Sequence, residues 1–342
     1  MNKTPAAPYI HTNKSASSRG YEWLVAALPI LIWSVFIFGA RVITICLISA
    51  LLSQGLDYLV LRFYVKAEKK AQIDIMASVY GIFAAFSMPV TVPLYIPMLA
   101  SVLVVLAKNL YVIRKKRLFN PFVFAAAVLN LCFAQQMTTH TRPFAYFSAF
   151  DFVIDKKLID CYRVISPLQY MADGSVYEDG VFAQLYGFAS GNMGEIAIAA
   201  IILSFAWLCI RREADWRGTV AFLVPVLLLA LIFPSDDAES NYYAYSIILS
   251  GAMVFLAVFA TNESHTVPIT ALGRIIFGSI CGITVFALRK TMGGFEAGYI
   301  VILLLNAVSP YIEQYTKPSP LGEPKKARKR KSVKTAKGTK LK

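Results

Sequence analysis

Two carboxylates stand where a charge is hardest to keep. Asp57, in QGLDYLV, and Glu195, in GNMGEIA, lie inside or at the mouth of apolar runs. A charge in hydrocarbon costs enough that such a residue is a functional candidate by default. Asp57 belongs to a cation path, faces the inner headgroups, or pairs with Arg62 nearby. Glu195 either lines an ion path or, at a helix start, answers to the free N–H groups and the helix dipole. The other reactive side chains are scattered: His11, His140 and His265 are isolated, and of five cysteines only Cys161 stands in a polar segment. No CxxC or Cys/His cluster offers a metal or iron-sulfur site, so most of these thiols read as small buried hydrophobes. No nucleophile elbow, phosphate-binding glycine loop or nicotinamide fingerprint occurs either. No catalytic residue is assigned, and the chain does not itself oxidise NADH.

The elements that must position these groups are apolar and long. Of 342 residues, 57% are hydrophobic and 16% charged, and the mean hydropathy is +0.57. Soluble domains carry about a quarter charged residues. The excess of apolar side chains comes as continuous runs, which predicts an all-α polytopic membrane protein. Ten spans are expected, at 22–40, 42–62, 73–88, 94–112, 120–135, 195–210, 217–233, 242–261, 269–288 and 296–312. The first is flanked by Arg19 and Arg41 and reads as an uncleaved span rather than a signal peptide. With the N-terminus cytoplasmic, 27 of the 34 Lys and Arg fall on the inner side, including Lys108 and the final tail. The positive-inside rule therefore supports ten spans with both termini cytoplasmic. Arg289 and Lys290 are the main exceptions.

Ten spans divide into two halves of five, and an odd number per half turns the second copy upside down. The third span ends in SMPVTVPLYIP, with Pro89, Pro93 and Pro97, and the eighth ends in ATNESHTVPIT, with Pro268. A helix cannot continue through either. The fifth and tenth carry Asn120-Pro121 and Asn306 with Pro310. These features predict two inverted five-helix repeats with broken helices, an arrangement that places substrates or ions near the midplane. The expected organisation is a cytoplasmic N-terminal segment at 1–21, repeats at 22–135 and 195–316, a long outer segment at 136–194 and a basic tail at 317–342. The outer segment carries Phe144, Tyr146, Phe147, Phe150 and Phe152, suited to an interfacial aromatic belt.

The formal charge of +14 suggests nucleic acid until it is located: residues 323–342 hold ten Lys or Arg and one acid, Glu323. So concentrated, the basicity points to a disordered tail that anchors topology or holds anionic lipid or a neighbouring subunit, and no nucleic-acid partner is expected.

The stretch from FATNESHTVPIT to SPYIEQYTKP resembles the C-terminal half of the RnfD/NqrB family, the membrane subunits so named of the Rnf complex and of the sodium-pumping NADH:quinone oxidoreductase. GNMGEIA resembles its G-x-x-G-E element, LFNP its Asn-Pro element, and APYIHT followed by ALP its N-terminus. The resemblance covers residues 7–318, with the last third strongest.

It implies a component of a redox-driven ion translocase in a bacterial inner membrane. Such a component carries flavin and passes electrons between partner subunits, coupled to Na⁺ or H⁺ movement. It also implies FMN attached by a flavin transferase to a Thr or Ser within D-x-x-S-G-A-T followed by Pro-Leu. On this chain the motif falls on DCYRVISPL, where Asp160 and Pro167 match and Ser166 takes the acceptor place. Arg163, Val164 and Ile165 replace the small residues that let a transferase close on an exposed loop. Ser166 is thus either the acceptor or the start of a turn, and Arg163 suits a phosphate held noncovalently. Asn120 matches the element near a second, noncovalent flavin, riboflavin. Asn262 follows Thr261 where the family has Asp, so one carboxylate is absent there; Thr261 and Asn262 remain ion-path candidates. These departures keep open a flavin-free relative working as a channel, transporter or assembly scaffold.

Overall fold

A computed structural model of the chain describes residues 16–63, 74–114, 118–172, 180–234, 240–292 and 296–317. The basic tail lies outside the described residues. The regular structure among the described residues is helical apart from one antiparallel bridge between Thr141 and Arg163. In chain order the helices are α1 (Ala16–Phe38), α2 (Arg41–Phe63), α3 (Met76–Phe86), α4 (Tyr95–Arg114), α5 (Pro121–Cys132) and α6 (Ala134–Met137). The outer segment adds α7 (Lys156–Tyr162), α8 (Pro167–Ala172) and α9 (Gly180–Tyr186). Then follow α10 (Ile198–Ile210), α11 (Trp216–Ile232), α12 (Ser240–Leu249), α13 (Met253–Phe255, continued by a π-turn at Leu256–Ala260), α14 (Ala271–Met292) and α15 (Gly298–Thr316).

Each predicted apolar run contains a helix, but not every helix is a full span. Ser18–Phe38, Arg41–Phe63 and Ala271–Met292 are long and apolar enough to cross a membrane, and Asn241–Leu249 with Met253–Ala260, bent by 62°, makes a fourth candidate. Helices α3, α5, α10 and α11 are apolar but shorter. The outward faces of the long helices are apolar too, with Ile32, Phe36, Leu47 and Leu51 exposed. In water such a surface would aggregate; against lipid it is the expected one, and the chain is a membrane protein.

The helices meet on a core of interlocked aromatic rings. Phe83 of α3 lies 4.5 Å, centroid to centroid, from Phe259 of the π-turn, and also contacts Trp23, Phe122 and Phe255. Helix α2 packs on α3 and α4, and α11 on α12 and α14, while α1 lies against α10 and α5 against α15.

The first break is as predicted: α3 stops at Phe86 and α4 starts at Tyr95, with Pro89 and Pro93 between. Broken backbone inside a membrane must find other partners. Met193 N–H donates to the Met88 carbonyl (3.0 Å) and Gly194 N–H to that of Phe86 (2.9 Å). Arg41, fully buried, donates to the carbonyls of Val90 (2.9 Å), Val92 (3.0 Å), Ser148 (3.0 Å) and Asp151 (2.8 Å). One guanidinium thereby ties the break to the outer segment.

Candidate functional site

The outer segment is built on a short antiparallel pairing. Arg142 N–H donates to the Tyr162 carbonyl (3.0 Å), and Val164 N–H to that of His140 (3.1 Å). Beside this pairing opens a cleft of about 490 Å³, lined among others by Tyr95, Gln135, Gln136, Lys156, Asp160 and Arg163. A second, smaller pocket of about 40 Å³ has His140, Ser166, Asn192, Glu195 and Glu296 in its walls. The predicted motif is therefore divided: Asp160 and Arg163 face the cleft, and Ser166 faces the pocket.

Ser166 is not in an exposed loop. It is buried, and it opens α8 in a reciprocal cap: Gln169 N–H donates to Ser166 Oγ (3.4 Å), while Ser166 N–H donates to Gln169 Oε1 (3.2 Å). Ser-Pro-Leu-Gln is a capping box with proline at the first helical position, a signal the sequence carried. Burial also governs His140: one ring nitrogen is used by the Gly191 backbone, and its pKa is pushed down to about 4, with the Arg163 charge acting in the same direction. Of the aromatic group, Phe144, Tyr146, Phe150 and Phe152 are exposed, whereas Phe147 is buried against Tyr162.

Glu195 lies at the inner edge of the pocket, buried, and accepts a hydrogen bond from the Tyr299 hydroxyl. Glu296 is held by Arg289 (2.7 and 2.8 Å) and by Ala252 N–H (3.0 Å). Arg289 also donates to the Ile247 and Ser250 carbonyls (both 3.1 Å) at the bend between α12 and α13. The apparent charge exception of the sequence is thus a buried ion pair that closes a helix break.

Asp57 is corrected. It is buried and bound by Lys108 Nζ (2.8 Å) and Asn109 Nδ2 (2.9 Å), with Asp74 sharing the lysine (2.8 Å); Arg62 instead donates to Tyr58. The neighbour in sequence lost to a lysine on α4. In the second break, Thr261 Oγ1 bonds back to the Ala257 carbonyl (2.6 Å), and Asn262 accepts from Asp215 N–H (2.7 Å) and donates to Thr219 (2.9 Å). Asn262 thus has a structural role. The carboxylate held to be missing stands one residue on: Glu263 is buried and accepts from Tyr80 Oη (2.8 Å), His265 N–H (3.0 Å) and Thr266 Oγ1 (2.9 Å). Its position in the apolar-to-broken transition was the signal for it.

Asn120 behaves differently from the other predicted residues. It is fully buried at the start of α5, and neither its amide oxygen nor its nitrogen has a partner; the same is true of Asn306 on α15. Buried amides without partners are rare and call for an explanation. Among the described residues, no three His, Cys, Asp or Glu side chains converge as metal ligands.

Residues 3–322 match the model of the NQR2, RnfD, RnfE family. The chain belongs to that family. Similar relatives include the D subunit of the ion-translocating oxidoreductase complex of Halorhodospira halophila, 26% identical over 94% of this chain and 96% of that one. The corresponding protein of Vibrio vulnificus is 28% identical over 93% and 98%. The D subunit of the Na⁺-translocating ferredoxin:NAD⁺ oxidoreductase complex of Acetobacterium woodii is 25% identical over 91% and 92%.

For the family's flavins, fit differs from place to place. The pocket before Ser166 has room for a few water molecules, not a tricyclic ring, and the hydroxyl is engaged as a cap. Covalent FMN at Ser166 does not fit this arrangement. The 490 Å³ cleft is within the usual range of about 300–1,000 Å³ for small-molecule sites, and Arg163 and Lys156 in its wall suit a phosphate. The unpartnered Asn120 amide suits the donor and acceptor edge of a noncovalent flavin ring.

Proposed function

We propose that this chain is the membrane component of an Rnf- or Nqr-like ion-translocating electron-transport complex in a bacterial inner membrane. It carries flavin and passes electrons between partner subunits, coupled to Na⁺ or H⁺ movement. The observation that carries the flavin reading is the cleft lined by Arg163 and Lys156 in a chain of this family. Flavin, when bound, supplies the electron chemistry. Arg163 and Lys156 hold the phosphate, Gln135 and Gln136 meet the polar ring edge, and Asn120 holds a second, phosphate-free flavin.

The same reading takes the fold as two inverted repeats within ten spans and both termini as cytoplasmic. The matching packing of α2 with α3 and α4 and of α11 with α12 and α14 supports it, as do the cross-pairs α1 with α10 and α5 with α15. Asp57, Glu195 and the Thr261–Asn262 turn are its ion-path candidates. The basic tail is assigned to anionic lipid or a neighbouring subunit.

The test is flavin extraction from the natively purified complex, beside in-gel fluorescence of the denatured chain. Noncovalent FMN lost in Arg163→Leu, with no fluorescent band on the denaturing gel, is the expected result. A band abolished by Ser166→Ala would establish covalent attachment through a flavin transferase instead. The flavin-free channel, transporter or scaffold is the second reading, favoured by the buried capping role of Ser166; no flavin in either assay would put it ahead.

A further inference from the structure

Arg41 is fully buried, and the groups that hold it are neutral. Its hydrogen bonds to Val90, Val92, Ser148 and Asp151 all end on backbone carbonyl oxygens. Among the described residues it forms no ion pair, and the opposing charge that reaches it is the exposed Asp151 carboxylate, acting through space. Carbonyl dipoles solvate a cation but carry no net charge, so the field of Arg41 extends beyond its cage.

That cage is the floor of the outer cleft. Val90 and Val92 bracket Thr91, and Thr91 and Pro93 line the cleft; Asp151 leads into Val153 and Ile154, which line it from the outer segment. Floor and walls are pinned together: Thr91 Oγ1 donates to the Thr139 carbonyl (2.8 Å), and Leu94 N–H to that of Phe152 (2.9 Å). The cleft's other cations differ in one respect. Arg163 and Lys156 are exposed, so water and salt screen them, with Asp160 as an opposing charge in the same wall. Arg41 is shielded from both.

We infer that Arg41 sets the reduction potential of the flavin held in the outer cleft, as a positioning residue that touches no cofactor and acts by its buried charge. The inference rests on the flavin reading of the cleft. Two electrons from a partner subunit, taken up with one proton, leave the ring with one negative charge more than it had when oxidised. A fixed cation beneath it favours that state and raises the potential. Through protein of effective dielectric about 20, a unit charge roughly 10 Å away shifts an equilibrium on the order of tenfold.

The experiment is a spectroelectrochemical titration of the natively purified complex, following the flavin signal that Arg163→Leu removes. Arg41→Gln should lower the ratio of reduced to oxidised flavin at fixed potential on the order of tenfold, which is about 30 mV for a two-electron couple. Arg41→Lys keeps the charge and should hold the midpoint near the parent's even where its unfolding temperature falls. Asp151→Asn should raise the midpoint, because it removes the opposing charge and keeps the backbone carbonyl that binds Arg41. A purely structural Arg41 would lower stability in both arginine variants and leave the Asp151→Asn midpoint where it was. If Arg41→Gln does not fold, Asp151→Asn carries the test. Bound flavin whose midpoint is unmoved or lowered in Asp151→Asn overturns the role of Arg41 and leaves the flavin reading standing. Absence of flavin from the parent complex overturns both.

Discussion

The Tyr80 hydroxyl on α3 donates to Glu263 in the second break at 2.8 Å, across 183 residues of chain. Both groups are buried. A helix of the first half is thereby tied to the loop that interrupts the second, and the carboxylate is kept in an apolar core by three donors at once. Tyr80→Phe removes one of them. A hydrogen bond to a charged group is worth about 1.5–3 kcal/mol, so thermal unfolding in detergent should shift down by a few degrees. Glu263→Gln combined with Tyr80→Phe should cost less than the sum, since the two share one interaction.

Lys108 holds two carboxylates, Asp57 and Asp74, with the first fully buried. Lys108→Met leaves Asp57 with Asn109 alone, and breaking a buried pair from one side costs about 3–5 kcal/mol. The variant should fold in poor yield. Adding Asp57→Asn should recover most of the loss, because the stranded charge is then gone; a double-mutant cycle on unfolding midpoints reads this directly.

Gly194 sits against Phe86 so closely that an added Cβ would lie 2.6 Å from its Cγ and 3.1 Å from its Cα. The backbone atom has nowhere to go. Gly194→Ala should therefore push the GNMG segment away from the first break, lose the bond to the Phe86 carbonyl, and destabilise by about 1–3 kcal/mol as overpacked sites do. Limited proteolysis of the outer segment should quicken in this variant.

The His140 ring is neutral in the folded chain because burial pushes its pKa down to about 4, while the unfolded ring titrates near 6.5. A group whose folded pKa is depressed binds its proton more readily when unfolded. Its contribution is fully present above about pH 6.5 and is lost as pH falls toward 4, amounting to on the order of 3 kcal/mol. His140→Gln should flatten this part of the Tm profile between pH 7 and 4.5; an unchanged slope would assign the acid sensitivity to other groups.

Much of the architecture was legible because its causes are local. Apolar runs, prolines at 89 and 93, and clustered Lys and Arg marked a membrane chain, a broken third helix and the candidate residues. The Ser-Pro-Leu-Gln cap at Ser166 was equally local.

What the sequence by itself determined was where helices must stop and which groups could not rest unpaired in hydrocarbon. Partner choice was decided only by the tertiary structure. Asp57 took Lys108 instead of Arg62, Arg41 closed the first break on carbonyls up to 110 residues away, and Arg289 closed the bend between α12 and α13 with Glu296. Composition and spacing specify local conformation through sterics and burial, but a charge in a low-dielectric interior pairs with whatever group the packed helices bring within about 3 Å. That distance is set by the whole bundle.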